Sequence, residues 1–157
     1  MNIFVTGGHG LLGSALLRLL MDDNNLYAPP RKHFELTTDD YDDTGNDIAF
    51  LCAGTKGFAE NEGNRESFRS DVDGNIRLAR HLLRHKTFVV FVSTDAVEWA
   101  LHTAYARNRF MVELAIGAEP NVAIFRPSKF DASNVAEVAR VCAEVGLKRK
   151  EGLTRWP

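Results

Sequence analysis

Tyr105 and Arg109 stand four apart in a stretch, residues 104–117, whose apolar spacing predicts a helix, so the two side chains leave it on one face. A fixed cation beside a tyrosine favours the phenolate, and arginine is permanently charged. Thr94 follows the apolar run Phe88-Val89-Val90-Phe91-Val92, a predicted buried strand, within Ser93-Thr94-Asp95. Its hydroxyl can hydrogen-bond a substrate oxygen. Together the three residues fit proton transfer at a carbonyl or alcohol oxygen. On spacing alone the commoner reading of Tyr105 and Arg109 is a surface pair, so the elements around them must decide.

The N-terminal stretch supplies the strongest of those elements. Asn2-Ile3-Phe4-Val5 reads as a buried strand. A turn follows, Thr6-Gly7-Gly8-His9-Gly10-Leu11-Leu12-Gly13, and then a helical pattern through Ala15, Leu16, Leu19 and Leu20. Strand, glycine turn and helix in that order form a phosphate-binding loop. Gly7 allows the turn, Gly10 lets a pyrophosphate approach the backbone, and Gly13 lets the helix lie close. The helix start presents free N–H groups and partial positive charge to the phosphates. Gly7, Gly8, His9, Gly10, Leu11, Leu12 and Gly13 are thus candidate cofactor contacts.

Leu26-Tyr27-Ala28 predicts a second strand, stopped by Pro29-Pro30 and followed by Arg31 and Lys32. The end of this strand lies beside the adenosine ribose in nicotinamide-binding folds. An acid there suits a 2′-hydroxyl and a base suits a 2′-phosphate. No acid stands between Leu26 and His33, which favours NADP over NAD, with NAD still possible. The plainer reading makes Arg31 and Lys32 solvated surface.

Further along, 33–36 reads as a brief third strand and 37–46 as a polar loop. Residues 47–54 form a buried strand closing in the small residues Cys52, Ala53 and Gly54. Residues 66–85 read as one long helix, with Gly74 weakening it slightly. Residues 121–125 form another buried strand, ended by Arg126-Pro127. A last helix is expected after Ser133 as its cap, ending at Gly146, and the tail from Leu147 shows no strong pattern. Strands alternating with helices imply an α/β, doubly wound parallel sheet of Rossmann type. The length of 157 residues suggests a single domain.

A net charge of −2 argues against a nucleic-acid binder. The basic run at 148–150 reads as a solvated tail. Two cysteines, Cys52 and Cys142, offer no metal-ligand spacing; with no visible leader or membrane-spanning run they suggest a reducing cytoplasm.

Taken in order, Thr6-Gly7-x-x-Gly10-x-x-Gly13, Leu51-Cys52-Ala53-Gly54, Ser93-Thr94-Asp95, Tyr105-x-x-x-Arg109 and Arg126-Pro127 resemble the extended short-chain dehydrogenase/reductase family. The branch is that of NAD(P)-dependent sugar-nucleotide epimerases, dehydratases and dTDP-4-dehydrorhamnose reductases. The resemblance runs from residue 1 to about 140. It implies that Gly7, Gly10 and Gly13 bind pyrophosphate, that Cys52, Ala53 and Gly54 border the cofactor, and that Thr94 and Tyr105 are the catalytic pair, with Arg109 supporting them. Three departures stand out. Arg109 occupies the family's lysine position, and Asp71 the position of its usual asparagine. The segment between Ser93-Thr94-Asp95 and Tyr105 is short, and little follows Phe130, so the substrate domain is expected to be largely absent. Asp71 and Arg109 are expected to form a partly buried ion pair. The resemblance also implies a homodimer built on the helices at 66–85 and 104–117, whose surplus apolar residues include Leu78 and Met111. Two functions remain open: a minimal NADP-dependent oxidoreductase acting on a sugar nucleotide or smaller carbonyl compound, or a catalytically weak dinucleotide-binding module that senses or assembles.

Overall fold

A computed structural model describes residues 1–30, 34–37, 45–55 and 58–156. The strands are β1 (Asn2–Thr6), β2 (Asn25–Tyr27), β3 (Ile48–Leu51), β4 (Phe88–Val92), β5 (Val122–Pro127) and β6 (Gly152–Trp156). They pair in the order β2-β1-β3-β4-β5-β6, all parallel. A parallel sheet must be covered on both faces, which is why its inner strands are continuously apolar. Every residue of β3 and β4 is buried.

Alternation along the strands builds two cores. Ile3, Val5, Phe50, Val90 and Phe125 point to one face, where α1 (Leu11–Leu20) and α6 (Val135–Leu147) pack. Phe4, Ala49, Leu51, Val89 and Phe91 point to the other, beneath α3 (Asn75–Arg84) and α5 (Ala104–Ile116). Helices on both faces make the sheet doubly wound, as the sequence implies. From β1 the chain goes to β2 on one side, and the next strand, β3, lies on β1's other side. Ligands of open α/β sheets settle at such a switch point, outside the C-terminal strand ends.

Several local expectations need correction. Phe34–Thr37 contains no strand, and His33 lies outside the described residues. The long helix is three segments: α2 (Arg65–Phe68), a π-helical turn (Arg69–Gly74) and α3. Asn75 supports that turn by donating its amide to the carbonyl of Asp71 at 3.0 Å. Asn134, not Ser133, stands at the N-cap of α6; Ser133 donates instead to Asp131 at 2.6 Å. Gly146 lies inside α6, which runs to Leu147, and serves packing rather than termination: a methyl there would come within 2.5 Å of the Phe50 ring. The tail is not patternless: it forms β6, whose exposure alternates because it is an edge strand. Residues 96–104 also hold a short helix, α4 (Ala96–Trp99). No helix of the described residues is long and apolar enough to cross a membrane.

Candidate active site

The C-terminal ends of β1, β3, β4 and β5 open into one cleft of about 950 Å³. Its floor is the glycine turn. Gly7 has φ +67°, a left-handed conformation, and a Cβ there would meet the backbone of Cys52 and Ala53 at 2.9–3.0 Å. Thr6 draws the same two strand ends together, its hydroxyl accepting from the Ala53 N–H at 3.1 Å. A Cβ on Gly13 would collide with the carbonyl of Gly7. Helix α1 can therefore lie on the turn only because residue 13 has no side chain. Gly10 is the N-cap of α1, and no side chain caps the helix. Its first N–H groups stay open towards the cleft, a cradle suited to an anion.

Gly7, Gly8, His9, Gly10, Leu11, Leu12 and Gly13 all line the cleft, as do Cys52, Ala53, Gly54, Asp71, Thr94, Tyr105 and Arg109. Arg31 and Lys32 lie outside the described residues, although Pro29 and Phe34 on either side of them border the same space.

The catalytic candidates converge from β4 and α5. Thr94 follows β4 and is buried, its hydroxyl accepting from the Ala96 N–H at 3.2 Å and donating to Asp95 at 3.4 Å. That hydroxyl thus also shapes the turn into α4. Tyr105 and Arg109 do share a face of α5, and the guanidinium lies 5.9 Å from the Tyr105 ring centroid. Arg109 is not a surface residue. It is 6% exposed, stands 5.7 Å from the Phe91 ring centroid, and donates to the carbonyls of Ala53 at 3.4 Å and Val92 at 3.5 Å. Parallel strands end in unpaired carbonyls, and a buried cation satisfies them. Gly54 makes room for it, since a methyl there would collide with Nη2 and lie 2.7 Å from Cζ.

The expected ion pair between Asp71 and Arg109 does not form. Asp71 is 1% exposed on the π-helical turn, and its two carboxylate oxygens accept from the Thr55 N–H at 2.9 and 3.0 Å. The β3 carbonyl end thus takes the cation and the N–H that follows takes the acid, so each charge is satisfied by backbone. Burial pushes the Cys52 thiol up to about 12, against the pull of Arg109, which leaves it a neutral wall of the cleft.

Two groups escaped the reading of the sequence. Behind Thr94, Glu113 of α5 accepts from the Ser93 hydroxyl and pairs with Arg126 of β5 through Nη2 and, at 2.9 Å, Nε. Arg126 reaches Glu98 at 2.9 Å, and Arg155 of β6 joins Glu98 at 2.6 Å. Glu113 is four residues beyond Arg109 and so on the same helix face, the one signal that could have found it. Phe58 and Trp99 border the cleft beside Tyr105; an aromatic residue in a glycine-bearing loop was Phe58's only mark.

A six-stranded parallel sheet with a glycine turn beneath its switch point defines a Rossmann-type α/β protein. Residues 3–119 match the family described as NAD dependent epimerase/dehydratase, and the chain belongs to that family. No curated protein matches the sequence. Solved structures share the fold at low identity. A dTDP-4-dehydrorhamnose reductase from Clostridium acetobutylicum superposes with a TM-score of 0.86 at 16% identity, over 99% of this chain and 74% of that one. The Bacillus anthracis dTDP-4-dehydrorhamnose reductase, solved in complex with NADP, gives 0.84 at 16% identity over the same shares. The protein lin1944 from Listeria innocua gives 0.83 at 17% identity and is covered, like this chain, over its full length.

Proposed function

We propose that the protein is an NADP-dependent oxidoreductase that reduces a carbonyl carbon of a sugar nucleotide or a smaller compound. The observation that carries this reading is the convergence of Thr94, Tyr105 and a buried Arg109 on the same cleft as the glycine cradle. The cradle fits a dinucleotide: side chains are missing at Gly7, Gly10 and Gly13, and the start of α1 is uncapped. The glycine turn and α1 would hold the pyrophosphate, with Cys52, Ala53, Gly54 and Asp71 bordering the cofactor. Arg31 and Lys32 would take the 2′-phosphate. When bound, a reduced nicotinamide supplies hydride. Thr94 holds the substrate oxygen and Tyr105 gives it a proton. Arg109 keeps a fixed positive charge beside the Tyr105 ring, 5.9 Å from its centroid, in place of the ammonium contacts a lysine would make.

The family match and the NADP-bound neighbour support a nicotinamide cofactor. The whole-length match to the Listeria innocua protein supports reading these residues as one Rossmann-type domain. A homodimer through α2, α3 and α5 is part of the same proposal. Leu78 is buried in the core and drops out of that interface, but Phe68, Met111 and Leu114 are exposed on these helices.

One observation favours the second reading, a dinucleotide-binding module with weak catalysis. Arg109 spends donors on the carbonyls of Ala53 and Val92, where they do not serve a bound ligand. NADPH turnover with a panel of carbonyl compounds, with Tyr105→Phe as control, separates the two. Turnover that Tyr105→Phe abolishes supports the enzyme; tight NADPH binding without turnover supports the module.

A further inference from the structure

Beside Tyr105 the cleft is walled by aromatic rings. Phe58 meets Tyr105 edge-on, with centroids 5.4 Å apart and planes at 84°, and meets Trp99 of α4 at 6.1 Å and 68°. All three line the cleft. Trp99 is 63% exposed and Phe58 41%, so much apolar ring surface faces solvent beside Tyr105. Exposed apolar surface continuous with a cleft marks a ligand wall.

The polar side chains that line the same cleft include the neutral Asn64, Ser67 and Ser70, and its acids are Glu35, Glu66, Asp71 and Asp95. Among the described residues the cations lining the cleft are Arg109, turned towards strand carbonyls, and Lys129, which follows β5. Lys56, two residues before Phe58, is outside the described residues. A diphosphate is held best by cations, and among the described residues the cation beside Tyr105 is Arg109, whose Nη1 is already taken by the Ala53 and Val92 carbonyls.

We propose that this end of the cleft takes an uncharged carbonyl compound bearing a flat apolar ring, an aryl aldehyde or ketone, seated against Trp99 and Phe58, and not a nucleotide diphosphate. The inference rests on the oxidoreductase reading above and narrows its substrate to the smaller class. The carbonyl carbon takes a hydride from the reduced nicotinamide cofactor, which is oxidised. The carbonyl oxygen takes the Tyr105 proton, giving an aryl alcohol, and water reprotonates the tyrosinate.

The test uses the full chain carrying Trp156→Phe, which leaves Trp99 as the sole tryptophan. NADPH binding is measured first by its own fluorescence. With NADPH bound, acetophenone is titrated against Trp99 emission and, in parallel, by calorimetry, alone and in competition with thymidine diphosphate. The expected result is saturable quenching by acetophenone that thymidine diphosphate does not displace. Trp99→Leu should bind acetophenone at least about tenfold more weakly by calorimetry, with NADPH affinity kept as the control for folding. Displacement by thymidine diphosphate, or equal acetophenone affinity in Trp99→Leu, overturns the inference. So does a loss of dimer in Trp99→Leu without any change in acetophenone binding, because the rings would then cover a second copy. NADPH binding with no acetophenone binding overturns the inference alone. Failure of the parent to bind NADPH overturns the oxidoreductase reading, and the inference with it.

Discussion

Glu113→Gln tests whether the buried ionic group behind Thr94 holds the wall of the cleft together. Glu113 joins three elements: the end of β4 through Ser93, α5 on which it sits, and β5 through Arg126. The side chains of Glu113 and Arg126 are only 7% and 11% exposed. Their contact also holds the Arg126 guanidinium above its ordinary range, so the cation cannot escape by losing its proton. Glutamine keeps the shape but removes the charge and turns an amide N–H₂ towards the guanidinium. Removing one partner of a buried pair costs about 3–5 kcal/mol. Glu98 still holds Arg126 at 2.9 Å, which places the effect near the lower end, about 3 kcal/mol. For a chain of this size that is a fall of about 6–12 °C in Tm. Differential scanning calorimetry measures it, with Glu98→Gln as the exposed comparison and a smaller fall expected there. The variant Glu113→Leu/Arg126→Met should recover much of the loss, because an apolar pair of similar volume avoids desolvation altogether. A fall of less than about 2 °C in Glu113→Gln would refute the reasoning, since it would mean that the pair is solvated or that β4 and β5 hold without it.

Other expectations follow from single contacts. Gly13→Ala puts a methyl into the Gly7 carbonyl, so the turn must shift; NADPH binding should be lost, with a destabilisation of about 1–3 kcal/mol, checked by titration and urea unfolding. Arg31→Ala/Lys32→Ala should narrow the NADP/NAD affinity ratio by about tenfold or more; an unmoved ratio would return both residues to solvated surface. Met111→Lys/Leu114→Lys should convert a dimer to a monomer in light scattering if these exposed residues of α5 form the interface. Burial raises both thiols, Cys52 to about 12 and Cys142 well above its ordinary value. The folded chain then keeps protons that the unfolded chain loses above about pH 8.5. Stability contributed below that pH should decline as pH rises towards 12. The buried Cys142 should react with a disulfide reagent at pH 8 only as the protein unfolds.

How far the sequence spoke depended on how local each cause was. The inner strands β1, β3, β4 and β5 were legible because a parallel strand buried on both faces must be apolar without interruption. Their alternation with helices was enough to imply the doubly wound sheet. The glycine turn was legible because Gly7, Gly10 and Gly13 answer steric needs a few residues away, and the structure shows those needs at Gly7 and Gly13 as Cβ collisions. That Tyr105 and Arg109 share a face followed from helix geometry alone.

Tertiary structure decided what depends on distant neighbours. The strand β6 is an edge strand, half in water, and only its ladder with β5 makes it a strand. The helix α5 was legible from its spacing, but that its inner face is polar at Asn108, Arg109 and Glu113 was not. Those residues face strand ends rather than strand middles. The π-helical turn leaves no periodic trace and owes its support to the Asn75 amide. Charge at Asp71 and Arg109 was plain in the sequence, but their partners were not. Buried charges are satisfied by the nearest groups that three dimensions provide, and here those are backbone groups: the N–H of Thr55 for the acid and the carbonyls of Ala53 and Val92 for the cation.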